Sequence, residues 1–269
     1  MWREVGLIGR DKLLEREILP AVRGKKGPFL VSGPRGIGKT ALLEWAYEHA
    51  APPKAFLTCT ATVRENLIEL ARAWGLEVEG DNGKTKSPLR ATVAELSRAI
   101  AKAPDGGKIF VDDIQRATPS FLRHFKVWRE RHVVFCAGVP PFKREELKRN
   151  LWGLREIRLE PIPRGERERL ARKLCMALGS TKSPQEVSRY SRGYPGRMVA
   201  LVKGIIEEES PRVEGEEIDL SPLLLLGLAG IVACRYIGLG LGETDLYILG
   251  GLGMGLAVFA RFLLFRGMD

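Results

Sequence analysis

The run Gly33-Pro34-Arg35-Gly36-Ile37-Gly38-Lys39-Thr40 constrains this chain more than any other feature. Before it, Phe29, Leu30 and Val31 form a short apolar run that reads as a buried strand, opened by the Gly27-Pro28 break. After it, residues 41–50 have helical spacing, with Leu42, Leu43, Ala46 and Tyr47 available for one face. Strand, glycine-rich loop and helix in that order make a phosphate cradle. Gly33, Gly36 and Gly38 let backbone N–H groups converge on phosphate oxygens with no Cβ in the way. Lys39 brings a positive charge to the β- and γ-phosphates, and Thr40 offers a hydroxyl to Mg²⁺. The helix that starts there turns its positive end toward the same anion. Pro34, Arg35, Ile37 and Ala41 complete the stretch expected to touch the nucleotide, and the ligands it implies are ATP and Mg²⁺.

A second motif lies well downstream. Ile109, Phe110 and Val111 are followed by Asp112 and Asp113. An apolar strand thus delivers two acids at its C-terminal end, where parallel sheets hold their ligands. Asp112 is suited to hold Mg²⁺ through water, and Asp113 to orient or deprotonate the attacking water. Alone, such a triplet with two acids is also what a solvated strand end looks like. Placed after the phosphate loop, with a strand and helices between, it becomes the second half of a nucleotide site.

The rest of the chain supplies the scaffold. Strands are expected at 29–31, 55–59, 108–111, 132–137 and 155–159, and helices at 11–19, 41–50, 63–74, 92–103 and 119–131. Residues 77–90 are polar and contain glycines, so they read as an exposed loop. Strands alternating with helices give an α/β fold, a parallel sheet with helices on both faces. Beyond Pro161 only helical patterns remain. The expected division is an α/β domain over 1–160, a small helical lid over 161–207, an acidic linker over 208–221 and an apolar pair over 222–266.

The first 200 or so residues resemble the AAA+/STAND group of P-loop ATPases, close to the archaeal-type members. The likeness begins at Leu7-Ile8-Gly9-Arg10-Asp11, similar to the Gly-Arg-acid lead-in of that family, and implies that Gly9 and Arg10 lie near the adenine. It continues through the phosphate loop into Ala41-Leu42-Leu43 and through Val111-Asp112-Asp113-Ile114-Gln115. It ends at Ser191-Arg192-Gly193-Tyr194-Pro195-Gly196-Arg197, which is similar to the Gly-x-Pro region of the helical lid. The family's lid sensor then falls on Arg197, which reads equally well as an exposed arginine near a helix start.

Two departures from the family pattern bear on rate. The second acid is Asp113 where relatives often carry Glu, which draws the carboxylate back from the water it positions. The strand at 132–137 runs into Cys136-Ala137-Gly138, where relatives often place a polar γ-phosphate sensor. Hydrolysis and a slow, switch-like use of ATP therefore both stay open. In an oligomer, Arg144 and Arg149 lie where arginine fingers often project, but they also suit a solvated helix face.

Residues 223–241 and 246–265 are almost wholly apolar, each with a single charge, Arg235 and Arg261. Each is about the roughly 20 residues that span a bilayer core. An arginine at mid-bilayer costs about 2.5–3.5 kcal/mol, but both sit toward segment ends where they can snorkel. Ser221-Pro222 starts the first segment as N-cap and first-turn proline. Ala229, Ala233, Gly251 and Gly255 give the small-residue spacing of close helix contact. The expectation is a two-pass hairpin in the cell membrane, touching lipid through 222–266. The connecting turn carries only Glu243 and Asp245 while the large domain is basic, so both termini are expected on the cytoplasmic side.

The net charge of +10 allows DNA, anionic lipid or simple solubility as its reason. The four cysteines, Cys59, Cys136, Cys175 and Cys234, have no metal-ligand spacing and read as buried thiols. The 269 residues are thus expected to hold a membrane-anchored ATPase acting on a protein or DNA partner, alone or as a homo-oligomer. The alternative is an ATP-binding switch that recruits partners; a small-molecule kinase is a third class, disfavoured by the acid pair.

Overall fold

A computed structural model describes residues 2–80 and 83–205, all within the first of two compact units, Met1–Ser210. The linker expected over 208–221 and the apolar pair over 222–266 lie outside the described residues. Among the described residues, no helix is long and apolar enough to cross a membrane.

Five strands form one sheet: β1 (Phe29–Ser32), β2 (Lys54–Thr58), β5 (Lys108–Asp112), β6 (Val133–Gly138) and β7 (Arg155–Arg158). Their order is β2-β5-β6-β1-β7, and every pairing is parallel. β6 is therefore inserted between the strand that feeds the phosphate loop and the strand that ends in the acid pair. Register sets Leu30 beside Cys136 and Val111 beside the same Cys136. Central strands covered on both faces read as unbroken apolar runs, and all four residues of β1 are buried.

Alternate residues of those runs serve opposite cores. Phe29, Val31, Phe110, Phe135 and Ala137 pack toward α4 (Lys39–His49) and toward the helical stretch made of α2 (Asp11–Leu13), a π turn at Leu14–Ile18 and α3 (Leu19–Val22). The stretch is longer than the expected 11–19. Leu30, Leu57, Ile109, Val111 and Val134 pack toward α5 (Val63–Ala73), α6 (Val93–Lys102), α7 (Pro119–Arg131) and α8 (Glu145–Leu151). The helices start where their caps dictate. Thr62 with Glu65 and Thr92 with Glu95 each close a capping box, and Thr118 caps α7 ahead of Pro119.

Residues 77–90 depart from expectation. They are not one exposed loop: β3 (Val78–Glu79) and β4 (Thr85–Lys86) pair antiparallel, and a 3-10 turn follows at Pro88–Arg90. Val78 is fully buried, and Lys86 pairs at 2.7 Å with Glu95, itself only 1% exposed. One buried valine and two ion pairs, the second between Glu79 and Lys102 at 2.9 Å, pin the hairpin to α6, too short a pattern for alternation to reveal.

The third core holds α9 (Arg164–Ala177), α10 (Pro184–Ser191) and α11 (Pro195–Val202). Val5, which ends α1 (Trp2–Val5), and Ile8 pack into this bundle with Ile162, Leu170 and Leu174. The start of the chain thus belongs in part to the helical bundle's core.

Candidate nucleotide site

The site forms where β1, β5 and β6 end. Ser32 closes β1 and the loop turns through Gly36 and Gly38, whose φ values of 76° and 101° a side chain would resist. Lys39 opens α4 and is 7% exposed. Its Nζ donates to the Gly33 carbonyl at 2.9 Å and the Pro34 carbonyl at 2.8 Å. Burial lowers its pKa, against the raising effect of Asp112 and Asp113. The two loop carbonyls occupy donors that a triphosphate would otherwise take.

Thr40 Oγ1 donates to Asp112 Oδ2 at 2.8 Å. Asp112 is 8% exposed, and burial raises its pKa despite the hydrogen bond from Thr40. A buried carboxylate and a hydroxyl in contact, with a lysine close by, are the protein oxygens that Mg²⁺ takes when phosphates and waters supply the rest. The two motifs read separately in the sequence therefore meet at a single hydrogen bond.

Asp113 turns the chain out of β5 in the left-handed region, φ 53°. Its Oδ1 accepts from Gln115 Nε2 at 2.8 Å, and Gln115 Oε1 accepts from the Val139 N–H at 2.9 Å. Cys59 and Cys136 stand nearby as inert thiols. Burial, helped by the charges of Asp113 and Asp112, pushes Cys59 up to about 12, and full burial pushes Cys136 well above its ordinary value.

Lys39, Thr40, Asp113 and Gln115 face a cavity of about 580 Å³. Arg35–Leu42, Asp113 and Gln115 line its polar end. Val5, Ile8, Ile162, Leu170, Leu174 and Val199 line an apolar end of the kind a purine base fills. Arg10 also lines it and donates to the Glu160 carbonyl; burial lowers its pKa, opposed by Glu160. Gly9 does not line it; a Cβ there would come 3.0 Å from Ile162 and 3.2 Å from Glu166, so its place is a packing contact with the bundle. α11 meets the phosphate loop directly, the Gly196 N–H donating to the Gly36 carbonyl at 2.8 Å. Arg197 follows Gly196 but is not among the lining residues. Arg144 donates to the Ala117 carbonyl, while Arg149 is exposed in a groove with Lys126, Arg129 and Glu146.

From the sequence the base side was reached only through Gly9 and Arg10; its apolar lining joins residues far apart in the chain. Gln115 entered only as part of a likeness and with no role, although a glutamine next to an acid pair is a visible signal.

The parallel sheet, the loop and the paired Thr40–Asp112 define the class as an α/β P-loop nucleoside triphosphatase. A family model described as an AAA domain matches residues 22–140, and this match supports an ATPase. Among solved structures, domain III of the Thermotoga maritima replication initiation protein DnaA is similar at 19% identity and TM-score 0.51, over 81% of this chain and 90% of that one. The Thermotoga maritima RuvB Holliday junction branch migration motor is similar at 14% identity and TM-score 0.46, over 72% of this chain and 59% of that one. The chain thus spans about 60% of a RuvB chain it matches. The likeness to the DnaA domain is one of fold. A search of curated proteins finds no match.

Proposed function

We propose that this chain binds and hydrolyses Mg-ATP and uses the cycle to move its helical bundle against the sheet, acting on a protein or DNA partner at the cytoplasmic face of a membrane. The observation that carries the nucleotide reading is the hydrogen bond between Thr40 and Asp112 beside the buried Lys39. Among the described residues, no cluster of three or more His, Cys, Asp or Glu side chains could hold a metal by itself. Thr40 and Asp112 would therefore hold the cation together with substrate phosphate oxygens, as Mg²⁺ sites commonly do. When bound, Mg²⁺ would neutralise charge on the β- and γ-phosphates. Lys39 exchanges its loop carbonyls for phosphate oxygens. Asp113 orients the attacking water and accepts its proton. The bundle contributes to both ends of the cavity, through Leu170 and Leu174 at the apolar end and Gly196 at the loop, so nucleotide occupancy bears on its position. Arg10, which lines the cavity, enters this reading as a base-side group, Gly9 as the packing contact that seats this segment on the bundle, and Arg197 as a lid group outside the cavity lining.

The experiment is Mg-ATP titration of the full chain and of Lys39→Ala, with phosphate release followed in parallel. The expected result is at least a roughly 100-fold loss of affinity in the variant, the order expected when a charge-assisted phosphate contact is removed from a buried site. Equal affinity would overturn the nucleotide site. Tight binding without phosphate release by the parent would favour the second reading, an ATP-dependent switch, for which the bare β6 end is the motive.

Membrane anchoring rests on the apolar segments at 223–241 and 246–265 with the acidic turn between them. The full chain should sediment with membranes and need detergent for release; recovery in solution without detergent would remove the anchor. DNA as partner requires affinity that falls as salt rises, and affinity indifferent to salt would exclude it. In a homo-oligomer the exposed Arg149 is the candidate to reach a neighbour's nucleotide; in a single copy it is a charge on a solvated helix face.

A further inference from the structure

β6 ends between the phosphate loop and the acid pair, and Val139 just beyond it lines the cavity. The last residues of β6, Cys136, Ala137 and Gly138, offer no suitable polar group. What stands there instead is Gln115. It sits in the 3-10 turn at Ile114–Arg116, held by Arg116 N–H to the Asp113 carbonyl at 2.8 Å and Ala117 N–H to the Ile114 carbonyl at 3.0 Å. Its amide is oriented without ambiguity. The Val139 N–H is a donor, so the oxygen faces Val139 and the nitrogen faces the Asp113 carboxylate. The approach is possible because residue 138 is glycine: a Cβ there would lie 3.2 Å from Gln115 Oε1, 2.7 Å from Ile114 Cγ2 and 2.9 Å from Phe142 Cε1. Gln115 is half-buried and lines the cavity.

We propose that Gln115 is the positioning residue for ATP hydrolysis, supplying from the β5 side what the end of β6 lacks. It fixes the Asp113 carboxylate on the attacking water and ties that carboxylate to the main chain at Val139. The shorter reach of aspartate is met by locking the carboxylate's orientation. The tie also joins the acid pair to the segment leading into α8. This inference rests on the ATPase reading, and it uses an amide whose two hydrogen bonds both end on groups beside the γ-phosphate position.

The test uses the full chain with Gln115→Ala and Gln115→Glu, measuring Mg-ATP affinity, kcat from pH 5.5 to 8.5, and melting temperature. Both variants should hold Mg-ATP within about 3-fold of the parent. Their kcat at pH 7.5 should fall roughly 10- to 100-fold, as expected when a reacting group is displaced by about an ångström. The glutamate variant separates positioning from simple packing. It keeps the volume and an oxygen for Val139, but its second oxygen faces Asp113 without a proton to donate. Its kcat should recover as pH falls and the introduced carboxyl takes up a proton to donate to Asp113, a rise absent from the parent and from the alanine variant. Parent-like kcat in both variants would overturn the proposal while leaving the ATPase intact. A flat pH profile in the glutamate variant, or a kcat loss matched by equal loss of affinity and melting temperature, would reduce Gln115 to a structural tie. A parent that binds ATP without releasing phosphate would remove both readings together, and failure of Lys39→Ala to weaken binding would strike the nucleotide site and this inference with it.

Discussion

The two ends of the sheet bury similar groups to opposite purpose. At the C-terminal end, Lys39 and Asp112 are nearly inaccessible, Asp113 holds a left-handed backbone, and a cavity opens beside them. At the N-terminal end, His132 is 7% exposed with its ring against Trp74, centroids 4.6 Å apart, and Gly107 lies beneath the indole. His132 Nδ1 and Trp74 Nε1 have no protein partner there among the described residues. Arg131 closes that end by donating to Asp105 at 2.6 Å and to the Ala103 carbonyl at 2.8 Å. Burial of a polar side chain marks a working site only where open space and convergent charges accompany it; elsewhere it is the cost of closing a fold.

Substitutions can sharpen or break that contrast. Asp113→Asn should lower phosphate release by about 10²–10⁴-fold while leaving Mg-ATP affinity and melting temperature close to those of the parent. A fall in stability instead would make the acid structural. Gly107→Ala should do the reverse. Its Cβ would meet the Trp74 ring at 2.6 and 2.9 Å, so chemical denaturation should show a loss of about 1–3 kcal/mol with nucleotide affinity unchanged.

His132 gives the next effect. Burial, then Arg131, lowers its pKa, with Asp105 opposing, so the folded state keeps it neutral. The unfolded chain takes up the proton first. The stability tied to this residue is therefore present above the unfolded value near 6.5 and is lost as pH falls toward the folded value. Denaturation between pH 7 and 5 should show a decline of up to about 1 kcal/mol from this group, absent in His132→Gln. The smallest effect should come from Asp112→Asn without nucleotide. The raised pKa of Asp112 means its stabilising contribution belongs to the protonated form, present below the unfolded value and lost as pH rises through the folded one. At neutral pH the ionised acid is thus a burden, and the variant should melt about 1–3 °C higher while losing Mg²⁺-dependent turnover.

Much of the scaffold was legible because local chemistry agreed with the fold. Apolar runs matched central strands, and the helices expected from 63, 92 and 119 begin at Val63, Val93 and Pro119, each behind a capping threonine. The phosphate loop and acid pair were legible because both are contiguous and chemically restrictive. Strand order was not, since no local pattern says that β6 inserts between β1 and β5. Everything that depends on that order was hidden with it, including the Gln115–Val139 contact. The apolar end was hidden for a related reason: Val5 and Ile8 look like an ordinary amphipathic lead-in until Leu170 and Leu174 are packed against them. The hairpin at 78–86 was missed because its pattern is two residues per strand.

The joint between Gly196 and Gly36 has its own consequence. A Cβ at 196 would lie 2.7 Å from the Gly36 Cα, so the junction is bare main chain meeting bare main chain. One amide bond of this kind contributes about 0.5–1.5 kcal/mol net, comparable with thermal agitation. The clasp can therefore open and reclose many times within a single catalytic turnover, and whatever fills the loop beneath it decides how long each closure lasts.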